Sequence, residues 1–208
     1  MKHTHFRYGF TLIEVLLLLG VFSLVIVVMI PLLTSGTEAR IRQQTVAVVE
    51  YSGLQAVQSM QRRVHNAEKI LLPAAGATGP VLAVQSASGQ LHPTMFAVQT
   101  GSLVIIEGNE VRKVTPELVA VKDFTVRNTS QSTANQSAYV TFTVSRTVRL
   151  HPVQTYERTV ELLVQPLSKD LQEGNPCVCS DPVCVNGELL WQTCDIVCTT
   201  LSYDNIEC

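Results

Sequence analysis

Two groups of residues carry the chemistry this sequence can offer. Six cysteines, Cys177, Cys179, Cys184, Cys194, Cys198 and Cys208, all fall in the last 32 residues. Glu14 is the only charged side chain in the 24 residues from Phe10 to Leu33. Six thiols can close up to three disulfides, hold a metal or stay free. Cys177-x-Cys179 and Cys194-x-x-x-Cys198 could each chelate, yet neither is the usual C-x-x-C knuckle and the tail has no histidine. Disulfides are the expectation, with no metal and no cofactor. A carboxylate in an apolar helix offers charge pairing, because an unpaired one deep in a bilayer costs about 2.5–3.5 kcal/mol. The plainer reading places Glu14 at headgroup level, where it also favours the positive end of a helix.

The remaining side chains add little reactive chemistry. No phosphate-binding glycine loop, H-E-x-x-H or G-x-S-x-G occurs, and the five histidines are scattered, so no enzyme is expected. The formal charge of −2 argues against a general nucleic-acid binder. Arg62-Arg63 reads as a solvated helix face. Asn128 and Asn135 each open an N-x-S/T triplet in a polar loop.

The elements that must position these groups follow from periodicity. About 20 apolar residues cross a ~30 Å hydrocarbon core as a helix, so Phe10–Leu33 reads as one membrane span. The run is too long for a secretory signal and lacks a small-residue cleavage site. Pro31 implies a kink or a melted turn near the exit, with Ser35-x-x-Glu38 as a capping box for a restart. After Glu38 the pattern becomes one-sided. Val49, Gly53, Val57, Met60, Val64, Ala67 and Leu71 form one stripe of an amphipathic helix that packs on a sheet. Pro73 and the glycines that follow end it.

From Val81 to Leu167 the signals are for strands: Val81–Val84, Met95–Val98, Leu103–Ile106, Val111–Val114, Leu118–Val126, Ala138–Val148 and Tyr156–Val164. Alternation in "YVTFTVSRTVRL" and "RTVELLVQP" predicts antiparallel strands with one covered face. The fold class expected is α+β, a long helix laid on an antiparallel sheet, followed by a stapled cysteine-rich tail. Trp191 is either the small core of that tail or an exposed anchor.

"RYGFTLIEVLLLLGVFSLVIVVMIPLL" resembles the class III signal of type IV pilins and type II secretion pseudopilins over Gly9–Leu33. The resemblance implies cleavage after Gly9 by a prepilin peptidase and N-methylation of Phe10. It implies a cytoplasmic leader, anchorage in the bacterial inner membrane and export of everything after Leu33. It further implies that Glu14 pairs with the amine of a neighbouring subunit's Phe10, and that Pro31 starts a segment able to melt on assembly. The division expected is a leader over 1–9, a transmembrane and filament-core helix over 10–33, an amphipathic helix over 34–72, a sheet domain over 73–167 and the tail over 168–208. The function implied is that of a minor structural subunit of a pilus or pseudopilus. Its partners would be other pilin or pseudopilin subunits, the peptidase, the assembly platform and the membrane, with no nucleic acid. The alternative is a pilus-borne adhesin or substrate-binding subunit that uses the tail.

Overall fold

The computed structural model describes residues 11–86, 93–132, 135–150, 152–167, 181–186, 188–193, 199–203 and 206. The fold is α+β. Helix α1 covers Leu12–His65, and twelve strands follow among the described residues. They are β1 (Ala67–Leu72), β2 (Thr78–Gly79), β3 (Leu82–Ser86), β4 (Thr94–Gln99), β5 (Ser102–Glu107) and β6 (Glu110–Lys113), then β7 (Ala120–Asn128), β8 (Ala138–Val148), β9 (Gln154–Val164), β10 (Val183–Val185), β11 (Glu188–Thr193) and β12 (Thr199–Tyr203). They form three antiparallel sheets, ordered β1-β3-β4-β5-β6, β2-β7-β8-β9 and β10-β11-β12. The chain divides into two compact units, Met1–Gln44 and Thr45–Cys208.

In the first unit, α1 is helical from Leu12 onward and every described side chain is exposed. Helicity continues through Pro31. The expected restart at Ser35 does not occur, because the Ser35 hydroxyl donates back to the Leu32 carbonyl at 3.1 Å instead of capping a new helix. Thr34 and Thr37 do the same to Pro31 and Thr34, at 3.0 and 2.8 Å. Proline supplies no N–H to the preceding turn. The hydroxyls beyond it add donors to the carbonyls of this stretch, so the backbone stays helical.

The second unit is built around one stripe of α1. Thr45, Val49, Ser52, Gly53, Ala56, Met60 and Val64 are buried there. They meet Phe96, Leu103 and Ile105 of the first sheet and Phe142, Val144 and Leu162 of the second in one core. Each large side chain so buried contributes roughly 1.5–3 kcal/mol. The helix comes close to the second sheet at Gly53, where a Cβ would lie 3.2 Å from Val160 Cγ2. The second sheet alternates as expected, with Ala138, Val140, Phe142 and Val144 of β8 inward and Tyr139 outward.

The helix ends at His65, earlier than the expected boundary near residue 72, and Ala67–Leu72 is strand β1. Ala67 and Ile70 are buried three positions apart because β1 pairs with β3 through register shifts on both sides of Lys69-Ile70. Such irregularities break the two-residue alternation of a strand and leave a spacing that imitates a helix. Leu71, expected on the helical stripe, packs instead against the opposite face of the first sheet.

That opposite face is the main departure from a one-sided sheet. Val81, Ala83, Met95, Ala97, Val104 and Ile106 form a second core with Leu189, Trp191 and Ile206. The first sheet is therefore covered by α1 on one side and by the β10-β11-β12 sheet on the other. This explains why every residue of β5 is buried. Trp191, 3% exposed, is a core residue, but of an interface between the tail and the first sheet and not of the tail alone. Its Nε1–H donates to the Gly108 carbonyl at 2.8 Å.

Candidate functional site

The start of α1 is set by Thr11, whose carbonyl accepts the N–H groups of Glu14 and Val15 at 3.1 and 3.3 Å. Thr11 thus occupies the cap, and Glu14 is the third helical residue, the position at which a carboxylate complements unpaired N–H groups and the helix dipole. Glu14 shares one shallow face of the helix with Leu17, Leu18, Val21, Phe22 and Val25. Its carboxylate forms no ion pair or hydrogen bond with any described residue. The arrangement is a single anion at the edge of an uncovered apolar surface. A carboxylate so placed can pair with a cation, with apolar contact available on the same face. Gly9 and Phe10 lie outside the described residues.

Leu12 to Leu33 spans 22 residues, about 33 Å at the helical rise. By length and composition α1 contains one segment able to cross a membrane. Leu12, Leu16, Val21, Phe22, Val25 and Met29 are all exposed, so no described residue of the first unit covers this surface.

Of the six cysteines, only Cys184 is described, on β10, and it is disulfide-bonded. Cys177, Cys179, Cys194, Cys198 and Cys208 lie outside the described residues. Among the described residues no cysteine is free, and no cluster of three metal-ligating side chains occurs. Strand β11, which pairs with Cys184's strand β10, docks through Leu189 and Trp191, so the disulfide-bearing segment is attached to the main domain by packing as well as by its chain connection.

One cluster escaped the sequence reading. Glu107, with a side chain 5% exposed, takes an ion pair from Arg63 of α1 at 2.8 Å and another from Arg112 of β6. Arg112 also lies 3.8 Å from Glu110. Arg63 is therefore not part of a solvated face: it crosses from the helix to the end of β5. Arg62 beside it remains exposed. A buried carboxylate this well paired ties α1, β5 and β6 into one orientation. The turn after Glu107 holds Gly108, which receives the Trp191 hydrogen bond, so helix, first sheet and tail meet within two residues.

The polar loop is fixed in a similar way. Asn128 is buried, its Nδ2 donates to the Pro73 carbonyl at 2.7 Å, and its Oδ1 accepts from Ser130 N at 3.0 Å. The first N-x-S/T triplet is thus inaccessible, while Asn135 is exposed. On the outer face of β8 and β9, Tyr139 donates to Glu161 at 2.5 Å, which raises the phenol above its ordinary range by stabilising the protonated form. The Lys113 ammonium lowers the Glu117 carboxyl through a 2.8 Å hydrogen bond. No described pair combines a nucleophile with a base that would activate it; the prominent features are surfaces and ties. Comparison of the chain with protein-family models, curated proteins and solved structures yields no match.

Proposed function

We propose that the chain is a minor pilin or pseudopilin, a structural subunit held in the bacterial inner membrane by Phe10–Leu33 and then assembled into a type IV pilus or a type II secretion pseudopilus. The observation that carries this reading is the contrast along α1. Its first part exposes an apolar surface with one carboxylate in the first turn, while its last part is buried on a sheet domain. A bilayer can cover such a surface, and so can identical helices of other subunits. A carboxylate then selects axial register, because burying it unpaired is strongly unfavourable and a neighbour's terminal amine relieves that cost. Head-to-tail contacts that do not close generate a helical filament.

The structural role is favoured over an adhesin that uses the tail because Leu189, Trp191 and Ile206 are committed to the core. The deciding experiment is the intact mass of the protein from cells with and without prepilin peptidase. Loss of Met1–Gly9 with one added methyl group is expected in the first case only. An uncleaved chain in both would leave a single-pass anchor and end the filament reading.

A further inference from the structure

We propose that the groove beside the β4–β5 turn receives the β10–β11 hairpin of a second copy of this chain. The proposal deepens the filament reading and rests on it. The groove runs past Thr100 and Ser102 and is lined by three cations, Lys113, Lys122 and Arg146, against one carboxylate, Glu117, with Leu118 beside them. Arg146 has no ion pair with any described residue. Lys113 and Lys122 are held by Glu117 and Glu157 at 2.8 and 3.6 Å, with all four side chains about half exposed or more. Pairs so exposed are worth little and can be exchanged for others at small cost. Leu118, 62% exposed, stands uncovered among these cations. The groove therefore asks for a ligand that is anionic and carries a small apolar surface.

The hairpin has that composition. Its tip is tight, with Asn186 at φ 53°, and its first strand leaves Val183 and Val185 51% and 47% exposed. Asp181 precedes it and Glu188 opens the returning strand. The segment 168–208 carries seven carboxylates against one lysine, Lys169. β11 is anchored by Leu189 and Trp191, so the hairpin is presented from a fixed base. Groove and hairpin are different surfaces of one chain, so their contact is heterologous.

The test mixes isotope-labelled and unlabelled full-length chain in detergent micelles and joins touching lysines and carboxylates with a zero-length carbodiimide. Mass spectrometry is expected to find mixed-isotope links from Lys113 or Lys122 to Asp181 or Glu188. Arg146→Glu and Glu188→Arg, each with an unchanged far-ultraviolet spectrum, should each reduce those links at least about tenfold, the factor that ~1.4 kcal/mol commands. The two together should restore them. Links within single copies only, or no restoration in the double variant, would overturn the proposal. So would loss of accessible Lys113 and Lys122 to an added DNA oligonucleotide without mixed links, which would make the groove a nucleic-acid site. Missing links in a chain that is cleaved after Gly9 remove the docking contact alone. Mixed links in an uncleaved chain keep the contact and remove the filament reading.

Discussion

Replacing Trp191 with alanine tests whether the tail is part of the fold or an appendage to it. The indole is 3% exposed and sits on Met95, Ala97, Val104 and Ile106, with a 2.8 Å hydrogen bond to the Gly108 carbonyl. A buried tryptophan removes about 150–250 Å² from water, which at ~25 cal/mol/Å² corresponds to roughly 4–6 kcal/mol. Alanine retains part of that burial, so the expected loss is about 3–5 kcal/mol, the usual range for a large aromatic removed from a core. Trp191→Phe keeps most of the area and loses the hydrogen bond, for a loss of about 1–2 kcal/mol. Chemical denaturation of the full chain in detergent, followed by circular dichroism, measures both. Trp191 is also the only tryptophan, so acrylamide quenching in the parent chain reports the docked state directly. A Trp191→Ala loss below about 1 kcal/mol, or quenching as free as that of a solvated indole, would refute the docked tail.

Four further outcomes follow from the same geometry. Glu107→Ala leaves Arg63, only 25% exposed, without its carboxylate and should cost about 3 kcal/mol, whereas pairing Glu107→Leu with Arg63→Met should recover most of it; denaturation midpoints decide. Gly53→Val should destabilise by about 2 kcal/mol by overpacking against Val160 and Val144, while Gly53→Ala stays within about 1 kcal/mol because the gain in helix propensity offsets the 3.2 Å approach. Tyr139 has a raised pKa, so its bond to Glu161 contributes fully below the ordinary phenol range near pH ~10 and is lost as pH rises through the folded value. Tyr139→Phe should remove the latest phase of the phenolate absorbance titration, and an unchanged titration would contradict the assignment. Glu14→Ala should leave cleavage after Gly9 intact and reduce recovery in filaments at least about tenfold, consistent with an unpaired buried amine; recovery at the parental level would end its pairing role.

The sequence was most informative where one environment acts on a long stretch. The apolar run and the later β-branched segments are both recovered as α1 and as β3–β9, and β8 is found at Ala138–Val148 as expected. The reading failed where a local irregularity changed the period. Ala67 and Leu71 continue the helical spacing of Val49–Val64, and only the bulged pairing of β1 with β3 distinguishes strand from helix there. The alternating segments predict one covered face, whereas the unbroken apolar run Leu103–Ile106 does not alternate, and β5 is buried along its whole length. Asn186-Gly187 is a strong hairpin signal in the sequence, and it joins β10 to β11 inside the cysteine region. The Glu107 cluster depends on contacts between residues 44 positions apart, for which one chain holds no local signature.

The position of the tail's covering strands also bears on the order in which the chain becomes protected. β4 and β5 emerge from synthesis well before β11, and until Leu189 and Trp191 arrive the outer face of their sheet is bare. That interval is set by kinetics, by how fast the later segment is delivered and its Cys184 cross-link closed, and not by final stability. A defect in oxidation would therefore lower the yield of intact molecules through aggregation of half-made ones, in addition to the stability lost by chains that lack the cross-link.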